Sequence, residues 1–152
     1  SNKTASLFAA SCTIGIATLS NKDKEIDSME KFGNLLGLCF QIKDDLLDIM
    51  GSIEGTGKPL NLDVKKNLFT LPLIHTIENS SNTDIKKIKY LISKNKTKEL
   101  KKIIMLKNGI DYAESKIKEF SDNAIELLSP LEDSRYKAGL IKALKFNLGR
   151  NY

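Results

Sequence analysis

The sequence has no apolar run long enough to cross a bilayer. About 18 residues would be needed, and Lys, Asp or Asn interrupts every candidate. The opening Ser1-Asn2-Lys3-Thr4 lacks the pattern of a signal peptide. Together these absences predict an intracellular, cytoplasmic protein. Cysteine is equally sparse. Cys12 and Cys39 have no CxxC spacing and lie in helix-like apolar stretches, so they read as small buried hydrophobes rather than a disulfide or metal pair. Arginine occurs only at Arg135 and Arg150, which leaves the net charge of +5 to lysine. The lysines crowd between Lys86 and Lys107, where Ile85, Ile88, Leu91, Ile92, Leu100, Ile103 and Ile104 recur at helical intervals. A nucleic-acid surface would interleave arginine and aromatics, and only Tyr90 is present there. The segment is expected to be a solvated helix face, with no nucleic-acid partner.

Runs of alternating β-branched residues are scarce too, while helical periodicity dominates. The expectation is an all-α fold, a single partial domain over residues 1–152, with no internal repeat and no second domain boundary. A first helix begins at or before Lys3 and runs to about Leu19, packing through Ala5, Ala9, Ala10 and Ala17. The absence of a clear cap before Lys3 suggests a part of a larger fold. Asp27 or Ser28 can cap a second helix that runs to about Met50. Its apolar stripe is Phe32, Leu35, Cys39, Ile42, Leu46 and Ile49, and a second, polar stripe passes through Asn34, Gly37, Gln41, Asp44 and Asp48. Gly51, Gly55, Gly57 and Pro59 mark a loop from about 51 to 67. Thr70-Leu71-Pro72-Leu73 starts another helix, because proline loses no bond in a first turn. Segments near 84–93 and 97–107 form an amphipathic pair. Ile110, Ala113, Ile117, Phe120, Ala124 and Leu127 stripe a longer helix, and Tyr136, Leu140, Leu144 and Leu148 stripe the last; Ser129-Pro130 separates those two.

The chemistry concentrates at Asp44-Asp45-Leu46-Leu47-Asp48. On a helix, Asp48 lies within reach of both Asp44 and Asp45, so three like charges are expected to converge on one patch and repel. Hard oxygen ligands that leave room for water suit Mg²⁺ bridging to a phosphate. The same five residues would also serve as an acidic solvated face. Their neighbours Phe40, Ile42, Leu46 and Leu47 are bulky and apolar, however, and carboxylates in such company are costly without a cation. Lys3-Thr4 upstream and Lys58 downstream supply ammonium and hydroxyl groups suited to phosphate oxygens.

Lys3-Thr4-Ala5, Phe40-Gln41-Ile42-Lys43-Asp44-Asp45-Leu46-Leu47-Asp48, Gly57-Lys58-Pro59, Asp63 and Thr70-Leu71-Pro72-Leu73 together resemble, in order and spacing, the trans-isoprenyl (polyprenyl) diphosphate synthases. The resemblance covers residues 3 to 74 and corresponds to the C-terminal half of that family, with its second aspartate-rich motif. It implies the isoprenoid synthase helical bundle around a deep cavity, and a Mg²⁺-dependent trans-prenyltransferase. Such an enzyme joins isopentenyl diphosphate to an allylic diphosphate, here toward an octaprenyl or other medium-to-long product. Asp44 would be the chief metal ligand, with Asp45 and Asp48 acting directly or through water. Lys3 and Lys58 would bind the leaving diphosphate; Phe40 would contact substrate. Thr4 and Gln41 would flank the allylic carbon, although Thr4 could instead cap, Gln41 satisfy buried backbone and Lys3 fray. The resemblance further implies a homodimer, with at most peripheral membrane contact for a long product. Two departures stand out. Leu68 replaces the family's usual lysine ahead of the Thr-Leu-Pro element, and the first aspartate motif, with the residues that bind isopentenyl diphosphate and set product length, is absent. The 152 residues alone are therefore expected to be inactive. Leu68 also keeps open a non-catalytic regulatory subunit, and the diphosphate chemistry a terpene cyclase.

Overall fold

Small residues decide how the first two helices meet. The structure, a computed structural model, describes residues 2–50 and 70–150. Helix α1 (Asn2–Ala17) and helix α2 (Asp23–Met50) pack through Ala5 and Ala9 on one side and Gly33 and Gly37 on the other. A Cβ on Gly37 would stand 2.6 Å from the Ala5 Cα, and one on Gly33 would stand 2.6 Å from the Phe8 carbonyl oxygen. Only glycine permits that approach. Because Ala5 meets Gly37 and Ala9 meets Gly33, the two helices run antiparallel. Ala10 and Ala17, expected in the same packing, are exposed instead.

Helix α2 starts at Asp23, a full turn before the predicted caps. Ser20 Oγ accepts from the Lys22 N–H at 3.1 Å, and Asp23 and Glu25 occupy the first turn, where acidic groups favour the positive helix end. Asp27 is thereby freed to pair with Lys31 at 2.6 Å on the exposed face. The apolar stripe is as expected: Phe32, Cys39, Ile42, Leu46 and Ile49 are buried and Leu35 is half-buried.

Among the described residues five further helices follow: α3 (Leu71–Glu78), α4 (Asn82–Ser93), α5 (Thr97–Leu106), α6 (Gly109–Leu128) and α7 (Arg135–Leu148). No strand occurs among them. Thr70, with extended backbone, precedes α3 and Pro72 sits in its first turn, as predicted. The joints on either side of α5 use Asn95 and Asn108, both at positive φ (52° and 56°), a conformation asparagine tolerates better than most residues.

The chain divides into two compact units. One comprises the residues up to Lys43 together with those from Lys116 onward; the other runs from Asp44 to Ser115. In the first, Cys39 of α2 donates its thiol to the Ile117 carbonyl of α6 at 3.6 Å and lies 3.5 Å from Ser121 Oγ. Cys39 is fully buried, Cys12 is half-buried, and both are free thiols, as the spacing implied. Helix α7 departs from its expected stripe. Leu144 is buried, but Tyr136 is exposed, its hydroxyl accepting from Arg135 at 2.7 Å beneath that guanidinium. In the second unit, Gly109 opens α6 tightly against α3: an added Cβ would be 2.5 Å from the Pro72 carbonyl oxygen and 2.6 Å from Thr76 Oγ1. His75 of α3 stacks on Tyr112 of α6 at 4.0 Å between ring centres.

Candidate active site

The close approach of α1 and α2 brings two predicted residues together. Thr4 Oγ1 donates to Gln41 Oε1 at 3.0 Å, both side chains being half-buried. Thr4 lies inside the first turn of α1 and spends its hydroxyl on another helix, not on a cap. Lys3, its neighbour, is exposed. Phe40, beside Gln41, faces another set of partners: its ring lies 5.7 Å from that of Phe8, and the Arg150 guanidinium stands 5.1 Å from its centre. Phe40 is thus embedded in an aromatic and cationic cluster of the first unit. Nothing in the sequence pattern had linked Arg150 to it.

Asp44, Asp45 and Asp48 follow on the same unbroken helix, in its last two turns. Asp44 and Asp45 are half-buried and Asp48 is exposed. Among the described residues no three His, Cys, Asp or Glu side chains gather closely enough to hold a metal ion. Along the helix the consecutive Asp44 and Asp45 diverge by about 100°, while Asp48 stands four residues from the one and three from the other. The donor set still fits Mg²⁺, which takes one or two carboxylates and fills its octahedron with water and phosphate oxygens. Lys58, together with Gly57, Pro59, Asp63 and Leu68, lies outside the described residues.

One functional candidate was hidden among the supposedly solvated lysines. Lys101, in the middle of α5, is only 7% exposed and donates its Nζ to the Met50 carbonyl oxygen at 3.2 Å. Met50 is the last described residue of α2. Burial holds the Lys101 ammonium below the ordinary lysine pKa. The rest of the segment behaves as predicted: Lys86, Lys87, Lys89, Lys94, Lys96, Lys98 and Lys102 are exposed. No helix among the described residues is long and apolar enough to cross a membrane.

These features define an all-helical fold of the isoprenyl synthase type. The structure matches geranylgeranyl pyrophosphate synthetase from Pyrococcus horikoshii Ot3 with a TM-score of 0.85 and 29% identity, over 98% of this chain and 46% of that one. A polyprenyl synthase from Caulobacter crescentus CB15, solved in complex with calcium and isoprenyl diphosphate, matches with a TM-score of 0.82 and 25% identity, over 97% of this chain and 47% of that one. In sequence, the Arabidopsis thaliana protein named solanesyl diphosphate synthase 2, chloroplastic, is 35% identical over 149 residues, 97% of this chain and 36% of that protein. The profile of the family described as polyprenyl synthetase matches residues 1–107. The chain belongs to the polyprenyl synthetase family, and it spans less than half the length of these relatives.

Proposed function

We propose that residues 1–152 form the C-terminal half of one catalytic domain, and that the full polypeptide is a Mg²⁺-dependent trans-prenyltransferase. It would condense isopentenyl diphosphate with an allylic diphosphate to give a longer linear polyprenyl diphosphate. The observation that carries this reading is the Thr4–Gln41 hydrogen bond, which joins two short motifs 37 residues apart, the first on α1 and the second on the helix that goes on to carry Asp44, Asp45 and Asp48. A bound isoprenyl diphosphate and divalent ion in the Caulobacter relative supports the same substrate class.

Asp44 would be the chief metal ligand, with Asp45 and Asp48 contributing directly or through water. Bound Mg²⁺ supplies charge neutralisation for the diphosphate leaving group. The chain's own groups do the rest. Lys3, exposed at the start of α1, binds diphosphate oxygens, and Lys58 is assigned the same task. Thr4 and Gln41 present oxygens beside the allylic carbon, where lone pairs stabilise developing positive charge and can guide the departing proton. Phe40, in its ring cluster, supports the substrate wall next to Gln41. The polypeptide would be cytoplasmic and homodimeric, and the exposed Leu7 and Ile14 of α1, with Leu19 just after it, supply apolar surface for further packing. Leu68, where the family pattern has lysine, favours one alternative, a non-catalytic subunit that regulates a partner synthase.

In the full-length polypeptide, Asp44→Ala is expected to cut turnover by orders of magnitude, measured as radiolabelled isopentenyl diphosphate incorporated into extractable product. Unchanged turnover at saturating Mg²⁺ would remove Asp44 from the mechanism. The 152 residues assayed alone should yield no elongated product.

A further inference from the structure

Three carboxylates lie in the last two described turns of α2. Asp48 is two residues from Met50, and Asp44 and Asp45 are one turn further back. Beside them the structure places Lys101, a buried cation from the middle of α5, with its Nζ 3.2 Å from the carbonyl oxygen of Met50, two residues beyond Asp48. Burying an ammonium is costly unless it gains partners, so its position on an amphipathic helix otherwise lined with exposed lysines calls for a reason.

We propose that Lys101 is a positioning residue for the metal–diphosphate site: by tying down the Met50 carbonyl it holds the turns that carry Asp44, Asp45 and Asp48 in register. The proposal rests on the reading of those aspartates as metal ligands. Lys101 touches neither metal nor substrate in this role. It gives the Met50 carbonyl a charge-assisted bond two residues from Asp48. Without it the turn at Met50 loses that anchor, and the carboxylates must be ordered at the cost of metal binding.

The test uses the full-length polypeptide with Lys101→Met, Lys101→Gln and Lys101→Arg. Met keeps the stem and removes charge and donor, Gln keeps a shorter neutral donor, and Arg keeps the cation. Mn²⁺ binding in the presence of inorganic pyrophosphate, read from the electron paramagnetic resonance of free Mn²⁺, should weaken about tenfold in the Met variant, the lower end of what loss of an outer support costs a metal site. Gln should fall between Met and Arg, and Arg should stay within about twofold of the parent, a margin set by its retained charge. Amide hydrogen exchange over residues 44–50 should accelerate in the same order without metal. A lowered melting temperature with unchanged Mn²⁺ affinity would overturn the proposal and leave Lys101 a purely structural residue. Failure of both Met and Gln variants to fold, with Arg normal in folding and binding, would likewise confine Lys101 to folding. Should Asp44→Ala leave Mn²⁺–pyrophosphate binding intact, the metal-ligand reading itself fails, whatever Lys101 does.

Discussion

Thr4 donates to Gln41 from a helix turn where a threonine hydroxyl would ordinarily bond back to its own backbone, as Thr13 does to the Ala9 carbonyl at 2.9 Å. That choice separates a positioned hydroxyl from a helix-internal one. Thr4→Val keeps the branched shape and removes the donor, so the fold should lose only about 1 kcal/mol. Turnover in the full polypeptide should fall by at least about tenfold if the hydroxyl stabilises transition-state charge. Melting temperature and steady-state rate measured on the same preparation distinguish the two effects. A rate equal to the parent's would leave Thr4 with a packing role alone. Cys39 permits a prediction in pH. Burial pushes its thiol above the ordinary value of 9.0, outweighing the bond from Ser121 that acts the other way. A raised folded-state pKa means that this contribution to stability is complete below the unfolded value and is lost as pH rises through the folded one. Urea midpoints should therefore fall above about pH 9, and Cys39→Ala should flatten that decline while lowering the plateau through lost packing. A decline equally steep in the alanine variant would place its cause elsewhere.

At the scale of elements, the crossing of α1 and α2 depends on two glycines, and the structure fixes the sign of each substitution. An alanine gains about 1 kcal/mol of helix propensity over glycine. At Gly139 of α7 the new methyl would meet nothing within 4 Å, so Gly139→Ala should stabilise. At Gly37 the same methyl would stand 2.6 Å from the Ala5 Cα, and backbone cannot yield as a side chain can. Gly37→Ala should therefore be destabilising by about 1–3 kcal/mol, with helices forced apart and Thr4 drawn away from Gln41. Thermal melts of the pair check this directly, and a stabilised Gly37→Ala would refute the tight crossing. The periodicity of α2 was legible because one face must be buried along its whole length, from Phe32 to Ile49. Its start was not. Asp27 offers a cap in isolation, but Ser20 and the Lys22–Glu25 pair at 2.9 Å let the helix begin a turn earlier. Gly37 was assigned to the polar stripe by spacing, and only the neighbouring helix reveals that its missing side chain is what matters.

At the scale of the whole molecule, composition, periodicity and motif order were enough for the all-α class, for the family and for the residues to suspect. These properties are local or nearly so. Helical period follows from side-chain alternation, and the Lys-Thr, Asp-rich and Thr-Leu-Pro elements are contiguous in sequence. What needed tertiary structure were the pairings: Thr4 with Gln41, Phe40 with Phe8 and Arg150, Cys39 with Ser121, and Lys101 with the end of α2. Each joins groups far apart in the sequence. Lys101 shows the physical reason best, since lysine within a lysine-rich amphipathic helix reads as solvated by pattern alone. Whether its ammonium meets water or a helix end is decided by what packs above it.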